Sequence, residues 1–325
     1  MRAIVWTRYG PPEGLQLQEV AKPTPKNGEL LIKIHATTVA AGDCELRSLK
    51  FSIGFRLLVR ILMGLTKPRR KVLGQELAGE VEAVGEDVTL FEKGDQVFGT
   101  TGFGFGAYAE YICLPEKSSG AAVAIKPANM TYEEAAAVPT GGLEALHFLR
   151  KAGSLNGRRV LINGAGGGIG TFAVQLAKYF GAEVTGVDST GKLDMLRSIG
   201  ADRAIDYTQE DVIKKGETYD VIFDVVGKSP FADCVAALSE DGRYLLANPR
   251  LSTMVRGLWT SARGGKKVIF RAASQKTEDL VFLRQLIEAG RVRSVIDRRF
   301  PLERIPEAHR FVETGLARGK VVITL

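Results

Sequence analysis

Short runs of alternating apolar and polar residues dominate the first third of the chain, and Gly, Pro and Asn separate them. This pattern is typical of strands that bury one face of a sheet. Strands are predicted at residues 3–6, 15–20, 29–36, 77–84, 96–99 and 109–114. Their spacing predicts a compact, partly closed β-barrel.

From Thr131 onward the periodicity changes, and segments with helical spacing alternate with short apolar runs. The first of these segments is helical and Ala-rich, at residues 132–153. Strands are predicted at residues 160–165, 183–187, 221–226, 243–247 and 267–272, and further helices at 171–180, 192–199 and 231–238. Such alternation indicates βαβ units and a doubly wound parallel sheet.

The C-terminal part combines predicted helices at 278–289 and 306–314 with an extended stretch at 292–301 and an apolar strand at 321–325. We expect this tail to return to the β-rich domain. A length of 325 residues is sufficient for two domains. The predicted division is a β-rich domain of residues 1–125 and 275–325 and a helix–strand domain of residues 126–274.

Composition narrows the class of protein. With 45% hydrophobic and 25% charged residues, the chain is typical of a folded enzyme. Cys44, Cys113 and Cys234 lie far apart, so neither a disulfide framework nor a cysteine-rich zinc site is expected. We expect a cytoplasmic protein, because the first residues lack a secretory pattern and no run reaches membrane-spanning length.

The net charge of +7 favours anionic partners, and a dinucleotide satisfies that charge as well as a nucleic acid does. The sequence contains no RRM, KH or zinc-finger signature, so specific nucleic-acid binding is not expected.

The segment RRVLINGAGGGIGTFAVQLAKYFGAEVTGVD, from Arg158 to Asp188, leads from a buried strand through a glycine-rich turn into a helix. Glycines there let a pyrophosphate approach the N–H groups at the helix N-terminus, where the dipole favours negative charge. The alternative is a glycine-rich turn without a ligand. The predicted cofactor-binding residues of the turn are Gly164, Gly166, Gly167, Gly168, Ile169 and Gly170.

The identity of the dinucleotide rests on conflicting signals. Asp188 ends the next predicted strand, where a carboxylate can bind ribose hydroxyls and favour NAD. Ser189 and Lys192 follow and could hold the 2′-phosphate of NADP, although Lys192 could equally be a solvated charge. We take NADP as the cofactor and keep NAD as the alternative.

Four further residues lie at the predicted carboxyl ends of later strands, where dinucleotides bind in such sheets. They are candidate cofactor contacts, with ordinary loop positions as the alternative interpretation. These residues are Val226, Gly227, Asn248 and Ser274.

Several separated motifs give the chain a wider resemblance. They are GQELAGEVEAVGEDV from Gly74, FEKGDQVFG from Phe91, AYAEY from Ala107, AAAVPTGGLEAL from Ala135, GAGGGIG from Gly164, LRSIGADRAIDYT from Leu196, FDVVG from Phe223 and the closing GKVVITL. On these residues the sequence resembles the medium-chain dehydrogenase/reductase superfamily, in its zinc-lacking NAD(P)H:quinone oxidoreductase branch. The resemblance implies a GroES-like catalytic domain, a Rossmann domain, and a homodimer formed through the edge of the Rossmann sheet.

The chain departs from the zinc alcohol dehydrogenases of this superfamily, which hold a catalytic zinc with cysteine and a His-Glu pair. Ala40 stands at the first cysteine position, and Gln75 stands where the histidine would be. A structural zinc needs about four thiolates, and this chain has only three cysteines. No metal site is therefore predicted, and Cys44, which lies off register, is interpreted as a packed thiol.

Two polar residues are the catalytic candidates. Asp43 either caps the helix that follows it or lines the pocket. Thr140, by resemblance, lies beside the nicotinamide ribose. Zinc-lacking relatives often carry Asn at the position of Ala40, whose own side chain cannot form a hydrogen bond, so no acid catalyst is identified.

Residues 51–71, FSIGFRLLVRILMGLTKPRRK, join large apolar side chains to six cations. Three interpretations stand: an apolar lid that selects a bulky acceptor, an interfacial helix that rests on anionic lipid, or a packed helix with solvated arginines.

Together these features predict a zinc-independent NAD(P)H-dependent reductase of quinones or activated α,β-unsaturated carbonyls. Such acceptors are already electron-poor and need no metal, and water can protonate the reduced oxygen. The alternatives are an alcohol or enoyl-thioester reductase of the same superfamily, or a non-catalytic relative that binds NADPH or RNA.

Overall fold

The computed structural model describes residues 1–51, 53–69, 71–118, 120–213, 216–270, 273 and 275–325. They form two compact units. The first comprises Met1–Thr140, Gln275–Glu288 and Ser294–Leu325, and the second comprises Gly141–Ser274 and Ala289–Arg293. Within the described residues, no helix combines the length and apolar character that crossing a membrane requires.

The first unit is built around a long antiparallel strand. Its strands are β1 (Arg2–Trp6), β2 (Leu15–Glu19), β3 (Glu29–Val39), β4 (Glu76–Val84), β5 (Gln96–Thr100), β6 (Tyr111–Pro115), β7 (Ala122–Ile125), β14 (Ile296–Pro301) and β15 (Lys320–Thr324). Strand β3 pairs with β4, with β15 near its C-terminal end and with β6 near its N-terminal end. The resulting seven-stranded sheet runs β14-β15-β3-β4-β5-β7 with β6 on β3, and β1 and β2 form a separate hairpin.

Helices in this unit are α1 (Ala41–Ser48), α2 (Ile53–Met63), α3 (Tyr132–Ala136), α9 (Thr277–Glu288) and α10 (Ile305–Glu313). Helix α3 contacts strands β3, β4 and β5. This packing explains why the first unit extends to Thr140, whereas the sequence predicted a boundary after residue 125.

The second unit is a parallel sheet flanked by helices. Its strands are β8 (Arg159–Asn163), β9 (Glu183–Asp188), β10 (Arg203–Asp206), β11 (Tyr219–Asp224), β12 (Leu238–Leu246) and β13 (Lys267–Ile269). Its helices are α5 (Gly170–Tyr179), α6 (Leu193–Ser198), α7 (Phe231–Ala236) and α8 (Leu251–Ala262), and α4 (Pro139–Lys151) enters it from the first unit. The strand order β10-β9-β8-β11-β12-β13 is the doubly wound arrangement that the sequence predicts.

Three elements were missed by the sequence analysis, namely β7, β10 and α8. The two strands have only four residues each, too few for a period of two to stand out. Helix α7 ends at Ala236, and β12 begins at Leu238, where the sequence predicted continued helix. The polar residues near the start of β12 hid its N-terminal half from a search for apolar runs.

Candidate functional site

The parallel sheet contains a topological switch point at its centre. Strands β8, β9 and β10 follow one another toward one edge, and β11, β12 and β13 follow toward the other. The crevice between such halves, at the carboxyl ends of the strands, is where open α/β sheets bind ligands. The glycine-rich turn of residues 164–170 follows β8 directly and therefore lies at this crevice.

Two glycines of this turn are required by the fold itself. Gly164 has a φ of +78°, and a Cβ there would lie 2.4 Å from Val226 Cγ2. A Cβ on Gly170 would lie 2.2 Å from the carbonyl oxygen of Gly164. Gly167 is different, because its Cβ would meet only that carbonyl oxygen at 3.5 Å, an ordinary contact. A ligand that approaches closely would explain why this position also lacks a side chain.

The turn also presents backbone donors. The N–H groups of Gly168 and Ile169 donate to no other described residue, and both residues are partly exposed just before α5. Unpaired N–H groups at a helix start form an anion-binding site, since the helix dipole adds positive potential there. The residues present therefore fit the pyrophosphate of a dinucleotide.

Asp188 and Lys192, which gave conflicting cofactor signals, contact each other. The Asp188 carboxylate accepts hydrogen bonds from the N–H groups of Gly166 and Ser189, both at 2.9 Å. Lys192 Nζ lies 3.2 Å from Asp188 Oδ1, and both side chains are more than nine-tenths buried. The ion pair thus joins the end of β9 to the glycine turn, where the adenosine ribose of a dinucleotide binds in this fold.

Asp224 organises the neighbouring loop, a role that the sequence analysis missed. Its carboxylate, at the end of β11, accepts hydrogen bonds from the N–H groups of Val226 at 3.1 Å and Gly227 at 2.8 Å. The Asn163 amide and the Tyr244 hydroxyl also donate to it, at 3.1 and 3.2 Å. The available signal was a lone acidic residue at the end of an apolar strand, within the FDVVG motif.

Asn248 holds the same loop from the end of the adjacent strand. Its side-chain amide donates to the carbonyl of Val225 at 2.8 Å. Gly227 has a φ of +70°, and a Cβ there would lie 2.2 Å from the carbonyl oxygen of Asn248. The structure therefore brings Val226, Gly227 and Asn248 together at the carboxyl edge, whereas Ser274 lies outside the described residues.

The first unit contains a buried charge cluster that the sequence analysis did not identify. Glu76 and Lys320 are the first residues of β4 and β15, and they form an ion pair with exposed side-chain fractions of 1% and 5%. The Glu76 carboxylate also accepts hydrogen bonds from Thr38 Oγ1 and, at 2.8 Å, from the backbone N–H of Thr140. Glu76 therefore fixes the position of Thr140.

Thr140 itself has a hydroxyl that is buried without a hydrogen-bond partner among the described residues. A buried hydroxyl without a partner is costly and indicates a missing ligand contact. This observation fits the place of Thr140 beside a nicotinamide ribose, which stays a prediction from the resemblance.

Asp43 is observed as a helix cap. Its Oδ2 accepts the backbone N–H of Ala40 at 2.9 Å, while Oδ1 is buried without a hydrogen bond among the described residues. Burial raises the pKa of Asp43 to about 6, and the negative charge of Glu76 adds to the rise. Of the two interpretations left open by the sequence, the geometry shows the cap.

Cys44 is packed beside a buried histidine. Its Sγ lies 3.2 Å from His309 Nδ1, which also accepts a hydrogen bond from Arg47 Nε at 3.3 Å. Burial raises the pKa of the Cys44 thiol and lowers the pKa of His309 to about 3, with the nearby Arg47 charge also lowering the latter. These contacts join α1 to α10 and indicate a structural role.

The positions where the zinc enzymes of this superfamily hold their metal carry other residues here. Among the described residues, no three His, Cys, Asp or Glu side chains are grouped closely enough to hold a metal ion. Ala40 and Gln75, at the ligand positions of the zinc enzymes, lie before α1 and β4.

Comparison with known proteins covers nearly the whole chain. The family described as alcohol dehydrogenase GroES-like domain matches residues 26–127, and the family described as zinc-binding dehydrogenase matches residues 199–323. The 2-methylene-furan-3-one reductase of Solanum lycopersicum is 35% identical, covering 99% of this chain and 79% of that protein. The NADPH-dependent alkenal/one oxidoreductase of Arabidopsis thaliana is 30% identical with the same coverage.

Among solved structures, the quinone oxidoreductase from Coxiella burnetii has a TM-score of 0.87 and 30% identity, covering 100% of this chain and 99% of that one. The GroES-like and Rossmann folds expected from the sequence are thus confirmed. This chain therefore belongs to the medium-chain dehydrogenase/reductase superfamily, in its quinone oxidoreductase branch, and is an NAD(P)H-dependent oxidoreductase.

Proposed function

We propose that this oxidoreductase transfers hydride from NADPH to quinones or activated α,β-unsaturated carbonyls without a bound metal. The main structural support for this proposal is the arrangement at the carboxyl edge of the parallel sheet. There the glycine turn, the Asp188–Lys192 pair and the loop held by Asp224 meet. The names of the relatives supply the acceptor class, because they describe enone, alkenal and quinone reductases.

Metal independence is supported by the residues at the ligand positions. The C-terminal half matches a family described as zinc-binding dehydrogenase. However, Ala40 has no ligand atom in its side chain, and a neutral Gln75 amide is a poor substitute for a zinc-binding imidazole. The Cys44 thiol nearby has a raised pKa, so it is a poor source of the thiolate that zinc requires.

The nicotinamide cofactor supplies the hydride, and the chain supplies binding and orientation. The turn N–H groups would hold the phosphates of the cofactor, and Glu76 holds the Thr140 backbone in place. The second requirement is a proton for the reduced oxygen. Asp43 is 2% exposed and its Oδ2 accepts the Ala40 N–H, so water is the donor we assign to the proton that the enolate or hydroquinone oxygen would need.

The ion pair at the end of β9 supports the proposed preference for NADPH. A lone Asp188 carboxylate would repel a 2′-phosphate, but Lys192 cancels its charge at 3.2 Å. Both carboxylate oxygens already accept backbone N–H groups, which weakens their competition for ribose hydroxyls. The Arabidopsis thaliana relative is also described as NADPH-dependent.

A paired titration of the purified protein with NADPH and NADH tests this proposal. It is followed by 9,10-phenanthrenequinone and by a simple enone, each with a chelator present, while absorbance is read at the nicotinamide band. We expect tighter binding of NADPH and loss of its absorbance despite the chelator. Failure of both cofactors to turn over with any quinone or enone would refute the reductase, and activity abolished by the chelator would refute metal independence.

The second unit also supports a homodimer. Strand β13 lies at the edge of the six-stranded sheet, and α8 packs against it, with Gly257 close to Val268. Helix α8 exposes four apolar side chains at helical spacing, at Leu251, Val255, Leu258 and Trp259. Two copies that pair through β13 would continue the sheet and cover both apolar stripes. A cytoplasmic location stays a prediction from the sequence.

A further inference from the structure

Helix α2 presents one row of large apolar side chains to the outside of the first unit. Val59 is buried, and Met63 packs against the hydrophobic core beneath the helix. The opposite side carries an exposed stripe that we term the α2 leucine face, with 47–65% of each residue exposed. It consists of Leu57, Leu58, Ile61, Leu62 and Leu65.

The orientation of this helix is fixed by its neighbours. The Tyr9 hydroxyl donates to the carbonyl of Gly64 at 2.7 Å, immediately after α2 ends. The backbone N–H of Arg69 donates to the carbonyl of Met63 at 2.7 Å. The packed-helix interpretation of residues 51–71 describes the side of α2 that carries Val59 and Met63, and it does not account for the exposed leucines.

The segment that carries the α2 leucine face contains cationic side chains and no acidic ones. No acidic residue occurs between Glu45 and Glu76. Of the described, exposed cations of this stretch, one forms an ion pair with another described residue and five form none. They are Lys50 at its edge, paired at 3.5 Å with Glu313, and the unpaired Arg56, Arg60, Lys67, Arg69 and Lys71.

This charge pattern discriminates between possible occupants. A second copy of the chain would meet the same patch across a two-fold axis and place cations against cations. The cations beside α8 differ from those beside α2 because they have partners within the chain. Arg263 stacks on Trp259 at 3.4 Å, and Lys266 donates to the carbonyl of Val235 at 2.6 Å. An anionic surface with an apolar interior complements both the charge and the leucines of α2.

We propose that the α2 leucine face docks on an anionic lipid surface, with the leucines in the acyl boundary and the flanking cations at the headgroups. Helix α2 has 11 residues, about half the length needed to cross a bilayer, so it lies in the interface. Each Lys or Arg near such a surface strengthens partitioning by about fivefold, and salt weakens this contribution.

Flotation of the full chain with vesicles tests the proposal without reference to catalysis. One vesicle is phosphatidylcholine alone, and the other contains about one-third phosphatidylglycerol. We expect binding only to the second vesicle, with weakening at high salt. Leu62→Glu should reduce this binding by about tenfold or more, because a carboxylate replaces an inserted leucine.

Leu316→Glu is the matched control, since Leu316 and Leu62 are both 65% exposed and both lie in the first unit. Arg56→Glu and Lys93→Glu form a second pair, in which only the first should weaken binding. Absence of binding to anionic vesicles at low salt would overturn the proposal. Equal binding of the vesicles by Leu62→Glu and Leu316→Glu would also overturn it. So would the finding that the wild-type protein forms an oligomer through this face, shown by its dissociation in Leu62→Glu.

Discussion

At the scale of single residues, burial decides what each polar group can do. Asp43 and Glu76 are both acidic and both buried, yet only Glu76 has a cationic partner, Lys320. Burial raises the pKa of Asp43 to about 6, because the main interaction that stabilises its charged form is a hydrogen bond from one backbone N–H. An acid of this kind makes folding depend on pH.

Replacing Asp43 by Asn should remove that dependence. The unfolded carboxyl has a pKa near 3.8, so between pH 4 and 6 the folded state retains a proton that the unfolded state has lost. Ionisation of Asp43 therefore lowers the free energy of unfolding as pH rises through this window, by about 3 kcal/mol in total. Asn cannot ionise, and its amide oxygen can accept the same Ala40 N–H.

We expect Asp43→Asn to be more stable than wild type above pH 7, and to lose this advantage at pH 4, in urea unfolding followed by circular dichroism. His309 acts in the opposite direction, because its lowered pKa of about 3 favours the folded state as pH rises to about 6.5. That contribution is present in both proteins and cancels in the comparison. A difference in the free energy of unfolding between the two proteins that does not change with pH would contradict the raised pKa of Asp43.

Lys192 offers a second test at this scale. Lys192→Ala leaves the Asp188 charge uncancelled and removes the candidate phosphate contact. We expect the dissociation constant for NADPH to rise about tenfold or more, and that for NADH to change little, in fluorescence titrations. Equal weakening of both cofactors would indicate that Lys192 only supports the fold of the turn.

At the scale of elements, the turn after β8 contains glycines that the fold requires and one, Gly167, whose missing side chain only a ligand would explain. A Cβ on Gly167 meets only one atom, at 3.5 Å, and Gly191 has open space within 4 Å. Gly167→Ala and Gly191→Ala should therefore both keep the wild-type melting temperature. Only Gly167→Ala should weaken NADPH binding, by about tenfold, because its methyl group occupies the pyrophosphate approach. Unchanged binding would place the pyrophosphate elsewhere.

The sequence predicts this element well because its signals are local. A strand, a glycine turn and an amphipathic helix are contiguous in residues 159–179, so period and glycine content identify them. The Glu76–Lys320 pair could not be found that way, because its members are 244 residues apart. They meet only because β4 and β15 both pair with β3. Local patterns carry no information about such pairings.

Helix α8 shows a related limit. Its apolar residues recur at helical spacing, but they face outward rather than toward a core. A sequence pattern reports that a helix has an apolar side and cannot report what covers that side. In α2 the same ambiguity left three interpretations open, and the exposed leucines and the cations without an ion pair are the observations on which the lipid-surface proposal rests.

At the scale of the whole molecule, the proposed dimer requires that the exposed apolar stripe of α8 lie in the interface between the two copies. Its stripe has exposed fractions of 61–77%, which is a large apolar surface for a free monomer to present beside an open sheet edge. Leu258→Glu places a charge in the stripe on each copy, and two-fold symmetry brings the charges toward each other. We expect wild type to elute as a dimer and Leu258→Glu as a monomer in size-exclusion chromatography with light scattering.

Leu316→Glu is again the control, since Leu316 has almost the same exposure, 65% against 64% for Leu258, and lies in the other unit. It should remain dimeric. Because the stripe lies on the nucleotide-binding unit and not in its crevice, the Leu258→Glu monomer should still bind NADPH. Monomeric wild type would contradict the dimer, and a dimeric Leu258→Glu would show that association uses a surface other than α8.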